Sequence, residues 1–510
     1  MKVLPHRLPK NRAIKAAGFA CVLFAATLNG VSAATLDVAI DSSPAGLDPH
    51  LITAFNSVII VQDTIYEGLT RIEKDLSVAP GLASDWQVSD DGLTYTFSIT
   101  PEVTFHDGSA LDAEDVAASI RRVQNEQTGS PLASRVSPIT GIDVVNAQTV
   151  TLTLDAPFAA ILSSLSGIAI VPAEMENELE SLQQTPVGTG PFKFNEWQPN
   201  SHISLVRFED YRIDGQPSLD EVRVNFVPES ATRQVGIGSG EYDLLPGIDP
   251  ATALQLKSTP NVTVQETRDV SYTLLGMNTT RPPLDNPKVR MAINMLLDRQ
   301  EIIDGALFGA GVPAGPLSPA LATWALDTSD FACYQRDVDA AKSLLKEASI
   351  DTPVTLSILV LPRQDARDIA QVIQQQLAAG DFEVELQNKE IGEFVQDWKN
   401  SNFDLFVSAN GGSPDPDEYF YRTFRSEGST NVFKYSDEEV DAWLDEGRQL
   451  TEPSARKTVY DKVQRKLACE GPIAHIAYSN LSTAVNDAVT GFDILSTGRL
   501  ASLKMVNVVD

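Results

Sequence analysis

Residues 354–410 switch repeatedly between a period of two and a helical period, and this switching constrains the fold more than any other feature of the chain. The stretch 354–360 reads as a strand and leads into a helix carrying Ile369, Val372, Ile373 and Leu377, which Gly380 stops. A second strand at 382–386, a short helix at 391–399 and a third strand at 403–408 complete the run. Strands separated by helices in this way form α/β units with parallel strands. Ligands of open α/β sheets sit outside the carboxyl ends of the strands. That rule selects two loops, Leu361-Pro362-Arg363 and the stretch from Asn410 to Asp417. Gly411 and Gly412 would let a ligand backbone come close, and Asn410 and Ser413 offer donors and acceptors. Arg363 could grip a carboxylate through its planar fork, or could simply cap the helix that follows it.

The first half has a different texture. Alternating stretches at 36–40, 94–99, 150–154, 202–208 and 221–226 predict strands. Asp112, with an acid three residues on at Asp115, opens a helix through Val116, Ile120 and Val123. Further on, Asn286 before Pro287 caps a helix carrying Val289, Ala292, Ile293, Leu296 and Leu297. Asp298 and Glu301 then predict a capping box for a second helix that ends near Gly309. No repeat, low-complexity tract or flexible linker interrupts the chain, so the halves read as packed lobes joined by short hinges.

The first 33 residues stand apart. Lys2, Arg7, Lys10, Arg12 and Lys15 form a basic region without an acid, 16–28 is apolar, and Val31-Ser32-Ala33 places small residues at a cleavage site. This is the pattern of a secretory signal peptide cleaved after Ala33, and it predicts an exported, periplasmic protein. Cys21 lies inside the apolar run without the residue that lipoprotein processing wants three positions earlier. Cleavage removes five cations, so the formal charge of −30 becomes −35. Such acidity argues against nucleic acid and against anionic lipid as partners. Two cysteines remain, Cys333 and Cys469. In an oxidising compartment they predict a disulfide, the alternative being two buried thiols.

Catalytic constellations are missing from the sequence. His50, His106, His202 and His475 are far apart, and no Gly-x-Ser-x-Gly elbow occurs. The glycines at 309 and 311 mimic a dinucleotide fingerprint, but they follow a helix and Pro313 stands where the phosphate-binding helix should begin. Asp415, Asp417 and Glu418 suggest calcium, yet the loop lacks the required glycine and carries prolines. No cofactor is expected.

Several motifs occur together. They are the run from Trp86 to Phe97, Phe105-His-Asp-Gly108, Leu111 to Val116, Val187-Gly-Thr-Gly-Pro-Phe192, Trp197 with Pro199, and Asp210-Tyr211. Asn278, Pro283-Leu-Asp285, Val289-Arg290 and Asp298-Arg299 follow in order. In this combination the chain resembles the peptide/nickel class of ABC-importer solute-binding proteins, extracytoplasmic family 5. The resemblance implies a two-lobed periplasmic-binding-protein fold with a hinge and an extra strand-rich subdomain in lobe I. Lobe I would span 34–270 and take back 482–510, and lobe II would span 271–481. It further implies a monomer without catalysis that captures a peptide-like solute and delivers it to ABC permease subunits and their ATPases in the inner membrane. Asn56, Ser57 and Tyr66 become additional ligand candidates by position. Peptide-binding members use an aspartate after the last lobe II strand to hold the ligand's amine, whereas Asn410-Gly-Gly-Ser413 contains no acid. An opine, oligosaccharide or metal chelate therefore stays open as the ligand, with an exported hydrolase as the remaining reading. The scattered histidines disfavour direct nickel coordination.

Overall fold

The alternation at 354–410 folds as parallel strands. Val354–Val360 pairs in parallel with Phe382–Asn388 on one side and with Leu405–Asn410 on the other. Helices Gln364–Ala378 and Ile391–Lys399 make the crossovers, the first burying Ile369, Ala370, Ile373 and Leu377. The third strand starts and ends two residues later than its apolar pattern predicts, so Asn410 is its last residue rather than the first of the loop. The computed structural model describes residues 34–313 and 315–509. The expected signal peptide and its cleavage site, together with Ala314, lie outside the described residues.

These strands belong to an 11-stranded mixed sheet. Beyond Leu405–Asn410 it continues through Val262–Met277, Ile473–Asn486, Leu244–Ile248, Thr35–Ile40, Glu221–Phe226, His202–Arg207 and Phe192–Gln198. The long strands Val262–Met277 and Ile473–Asn486 pair antiparallel, and their ladder is interrupted between Arg268 and Tyr272. Their neighbours divide at that interruption. Leu244–Ile248 pairs with 482–485, whereas Leu405–Asn410 pairs with 272–277. Apolar packing divides there too. One core gathers Leu275, Ile293, Leu296, Ile358, Ile373 and Val407, and another gathers Leu36, Val38, Phe192, Val224 and Val485. The carboxyl-terminal residues Phe492, Ile494, Leu503 and Val506 pack into the second of these. A separate four-stranded antiparallel sheet, Ala83–Val88, Thr94–Ile99, Thr149–Leu154 and Ile139–Asn146, is covered by helix Ala113–Gln124 through Val116, Ile120 and Val123.

Caps begin the helices where the sequence places them. Asp112 accepts from the Glu114 amide and Asp115 accepts from the Asp112 amide, which closes a capping box. Asp298 accepts from the Glu301 amide at 2.9 Å. Glu301, however, accepts from Gln376 Nε2 at 2.8 Å. The expected box is therefore half made, because a packed neighbouring helix supplies a competing donor. The family-like residues of the first half serve the framework. His106 bonds the Gly190 carbonyl at 2.9 Å, and a Cβ on Gly188 would stand 2.1 Å from the Ile65 carbonyl oxygen.

Cys333 and Cys469 are joined by a disulfide that spans 136 positions of sequence. Closing so long a loop restricts the unfolded chain, and removing a native disulfide costs about 2–5 kcal/mol. The double variant Cys333→Ala/Cys469→Ala is accordingly expected to lose that much stability in urea unfolding. A loss under about 1 kcal/mol would mean that the bond does not constrain the unfolded state. Among the described residues no helix is long and apolar enough to cross a membrane.

Candidate ligand-binding site

The carboxyl ends of Val354–Val360 and Leu405–Asn410 lie side by side, with the Leu361 amide bonded to the Val407 carbonyl at 3.1 Å. The two selected loops therefore share one end of the sheet. Asn410 donates to the Tyr272 hydroxyl at 3.1 Å. Gly411 faces open space, and its carbonyl accepts from Arg422 at 2.7 Å. Gly412 is pressed on the interrupted part of the long strand, since a Cβ there would sit 1.9 Å from the Val270 carbonyl oxygen. No side chain fits at that approach, so the second glycine seats the loop on the strand rather than admitting a ligand. Ser413 is buried and donates to Glu418. Arg363 lies at the same end of the sheet, but it is more than half exposed and pairs with Asp365 of its own helix at 2.5 Å.

The amino-terminal candidates stay within their own half. Asn56 donates to Asp41 and to the Ser42 hydroxyl, both at 2.6 Å, and closes that turn. The Ser57 hydroxyl accepts from the Ala45 amide at 2.8 Å. Tyr66 is fully buried in the core beside Gly188, with its hydroxyl unpartnered among the described residues. Asp415 and Asp417 form buried pairs inside the other half, with Arg456 at 2.7 Å and Arg448 at 2.9 Å.

Facing Asn410–Ser413 is a set of residues that no motif announced. Glu418 accepts from Ser164, across from the other half of the chain, at 2.7 Å. Arg135 and Arg499 both come within 3.5 Å of the point where a Cβ on Gly167 would sit. Arg499 is 3.5 Å from Asp63, whose pKa is raised by burial and lowered by this arginine. Arg135 is accessible to water, yet its pKa is lowered, first by the protein around it. Glu418 opposes that shift, and Arg499 and Arg422 add to it. Asp269, in the interrupted stretch of the long strand, accepts from the Ser271 amide at 2.9 Å, and burial raises its pKa. It has no ion-pair partner among the described residues. Sequence offered two faint signals for this set. Glu418 in the first turn of helix Pro416–Phe424 and Arg422 in its last turn are four apart and so share a face. The Arg268-Asp269 doublet also interrupts a strand pattern.

Two cavities lie outside this set of residues. One of about 430 Å³ lies at Lys342, Lys346, Thr352 and Asp381, at the amino ends of the parallel strands and thus at the wrong end for a ligand of an α/β sheet. Another of about 250 Å³ lies between Pro138, Asp155 and Phe158 on one side and Tyr421, Asp445 and Arg448 on the other. There the Arg448 guanidinium stacks on Tyr421, 3.3 Å from its ring centroid, and lies 4.8 Å from that of Phe158. Among the described residues no cluster of three His, Cys, Asp or Glu could hold a metal ion. The arrangement brings hydrogen-bonding and charged groups of the two halves together, which suits capture of a polar solute.

Comparison with known proteins agrees with this architecture. The chain is 27% identical to a dipeptide-binding protein of Escherichia coli strain K12 over 505 residues, covering 92% of this chain and 94% of the other. It is 28% identical to a glutathione-binding protein of Pectobacterium atrosepticum over 474 residues, covering 90% and 91%. Its fold superposes on the ABC transporter substrate binding protein CtaP of Listeria monocytogenes with a TM-score of 0.85 at 24% identity, over 94% of this chain and 100% of that one. This is the two-lobed fold of periplasmic binding proteins. The model of the bacterial extracellular solute-binding proteins, family 5 Middle, matches residues 77–431. The chain belongs to the bacterial extracellular solute-binding proteins of family 5, a family of binding proteins rather than enzymes.

Proposed function

We propose that this protein is the exported substrate-binding component of an ABC importer, which captures a peptide-like solute between two lobes and hands it to permease subunits in the inner membrane. Lobe I, 34–270 with 482–510, and lobe II, 271–481, are the bodies that close on the ligand. The interrupted stretch between Arg268 and Tyr272 is the hinge in this reading. Closure is favoured because only the closed form lets both lobes touch the solute. The observation that carries the peptide reading is the match along nine-tenths of the chain to dipeptide- and glutathione-binding proteins. With no acid in Asn410–Ser413, Asp269 is the carboxylate we assign to the ligand's amine, because it sits beside Val270, which seats Gly412, and has no ion-pair partner among the described residues.

A thermal-shift screen of the purified protein tests this reading. The panel is di- and tripeptides, glutathione, an opine, an oligosaccharide and a nickel–histidine chelate. A ligand at 100 times its Kd adds about 2.7 kcal/mol to stability. The expected result is stabilisation by peptides, lost when their amine is acetylated, with one ligand bound per chain and no turnover. Stabilisation by the opine, sugar or chelate alone would transfer the transport role to a non-peptide solute, and turnover would replace it with an exported hydrolase.

A further inference from the structure

One buried apolar side chain crosses from the amino-terminal half of the chain into the core of the other. The cluster around Tyr272, Leu317, Phe406 and Phe420 draws its buried members from residues 270–478, and Leu76 is the single exception among the described residues. Ile72, half-buried, packs against the same cluster. Both belong to the hairpin of strands Thr70–Ile72 and Val78–Pro80. The turn of this hairpin is fixed to its own half. The Glu73 amide bonds the Ser77 carbonyl at 2.9 Å, and the Leu76 amide bonds the Glu73 carbonyl at 3.0 Å. Asp75 accepts from the Ser77 amide at 3.0 Å, and Lys74 pairs with Asp493 of the carboxyl-terminal segment at 2.7 Å.

Leu76 is an unusual residue for its place in that turn. Its φ of 65° lies in the left-handed region, which Gly and Asn adopt readily and a leucine adopts only at a cost. Lys74, Asp75 and Ser77 are exposed, whereas Leu76 is 8% exposed. A turn that only reverses the chain is served better by Gly or Asn at this position. A leucine held there against its backbone preference has its reason in what the side chain meets, and that is the core of the other half.

We propose that Leu76 is a closure latch, a knob carried rigidly on lobe I that seats in the apolar core of lobe II when the lobes come together. The inference rests on the two-lobe closure proposed above and adds to it a contact that favours the closed form whatever solute is held. Opening returns the leucine to water, and burial of such a side chain is worth roughly 10- to 100-fold in the ratio of closed to open forms. A latch of this kind tightens the binding of every solute by the same factor, because it acts on the population of the binding form and not on the solute.

The test is calorimetric titration with Ala-Ala and with glutathione, together with small-angle scattering of the free protein, on the unsubstituted chain and its Leu76→Asn and Leu76→Met variants. Leu76→Asn keeps the left-handed turn and removes the knob, and it is expected to weaken both probes by one common factor of roughly 10- to 100-fold. Leu76→Met keeps a long apolar side chain and should bind both within a few-fold of the unsubstituted protein. Factors that differ between the two probes would make Leu76 a ligand contact and overturn the latch. Unchanged affinities would overturn it as well, whatever happens to the melting temperature, since the side chain then serves only the packing of its hairpin. If neither probe binds, the peptide reading falls and scattering decides the latch by itself. A larger radius of gyration for Leu76→Asn then supports it, and equal radii overturn it.

Discussion

Three histidines held neutral in the fold are expected to draw stability down between pH 6 and pH 4. His50 is fully buried; its Nε2 bonds the Ala169 carbonyl at 2.8 Å, and its Nδ1 lies 3.0 Å from the Arg122 guanidinium. A guanidinium only donates, so Nδ1 must accept and the ring must be neutral. Burial brings its pKa down to about 4, and the Ala169 bond only partly offsets this. His106 repeats the arrangement. Its Nδ1 accepts from the Gly188 amide at 3.3 Å, its Nε2 bonds the Gly190 carbonyl, and burial lowers its pKa to about 4. His475 is fully buried beside Tyr419, 2.9 Å from its hydroxyl, and burial followed by the Arg299 charge lowers its pKa to about 3.

In the unfolded chain these rings titrate near 6.5. Their contribution is thus complete above about pH 6.5 and drains away as the pH falls toward the folded values, by about 1.4 kcal/mol per ring per pH unit. Asp115 acts in the opposite sense. Burial pushes its pKa up to about 6, so the folded state takes its proton before the unfolded state does. Asp63, Asp243, Asp269 and Asp417, whose pKa values burial also raises, act in the same sense as Asp115, so the net slope between pH 6 and pH 4 is shallower than the three rings alone would give. Urea unfolding at pH 7, 6 and 5 measures the slope, and His106→Asn should reduce it by about one ring's share. A slope between pH 7 and pH 5 that His106→Asn leaves unchanged would mean that this ring is protonated in the fold.

The second large effect is expected at the amino-terminal ion pair. Arg122 and Asp48 are completely buried, and they meet through two bonds of 3.0 and 2.6 Å. The same guanidinium donates to the Glu178 carbonyl at 2.8 Å. It therefore ties helix Ala113–Gln124 to the loop after the first strand and to the segment before 181. Removing one partner strands a charge in the core, which costs about 3–5 kcal/mol. Asp48→Ala should lose that much in equilibrium unfolding. The double variant Asp48→Ala/Arg122→Met should be less damaged than the sum of the single variants, because no charge is left behind. Additive losses would show that the pair carries no coupling and that the damage comes from packing alone.

How much was legible follows from how far each signal reaches along the chain. The parallel run at 354–410 was readable because period-two and helical patterns are local, and each residue's neighbours in sequence decide its face. The caps at Asp112, Asn286 and Asp298 were readable for the same reason. The capping box at Asp298 failed at the point where Gln376, 75 positions from Glu301, enters. Arg363 was selected correctly for its end of the sheet, yet the structure spends its side chain on Asp365, two residues away.

Sequence alone determined the fold class, the start of most helices, and the end of the sheet where a ligand would be expected, since all of these follow from periodicity and turn chemistry. Tertiary structure decided which charged groups remain unanswered. Arg135, Ser164, Glu418, Arg422 and Arg499 come from places as far apart as 364 positions, and no short-range pattern links them. Asp415 and Asp417 look like ligand acids in the sequence but are consumed by Arg456 and Arg448. Whether a charge is free to meet a solute depends on which opposite charge folding brings beside it, and that is settled only when distant segments pack together.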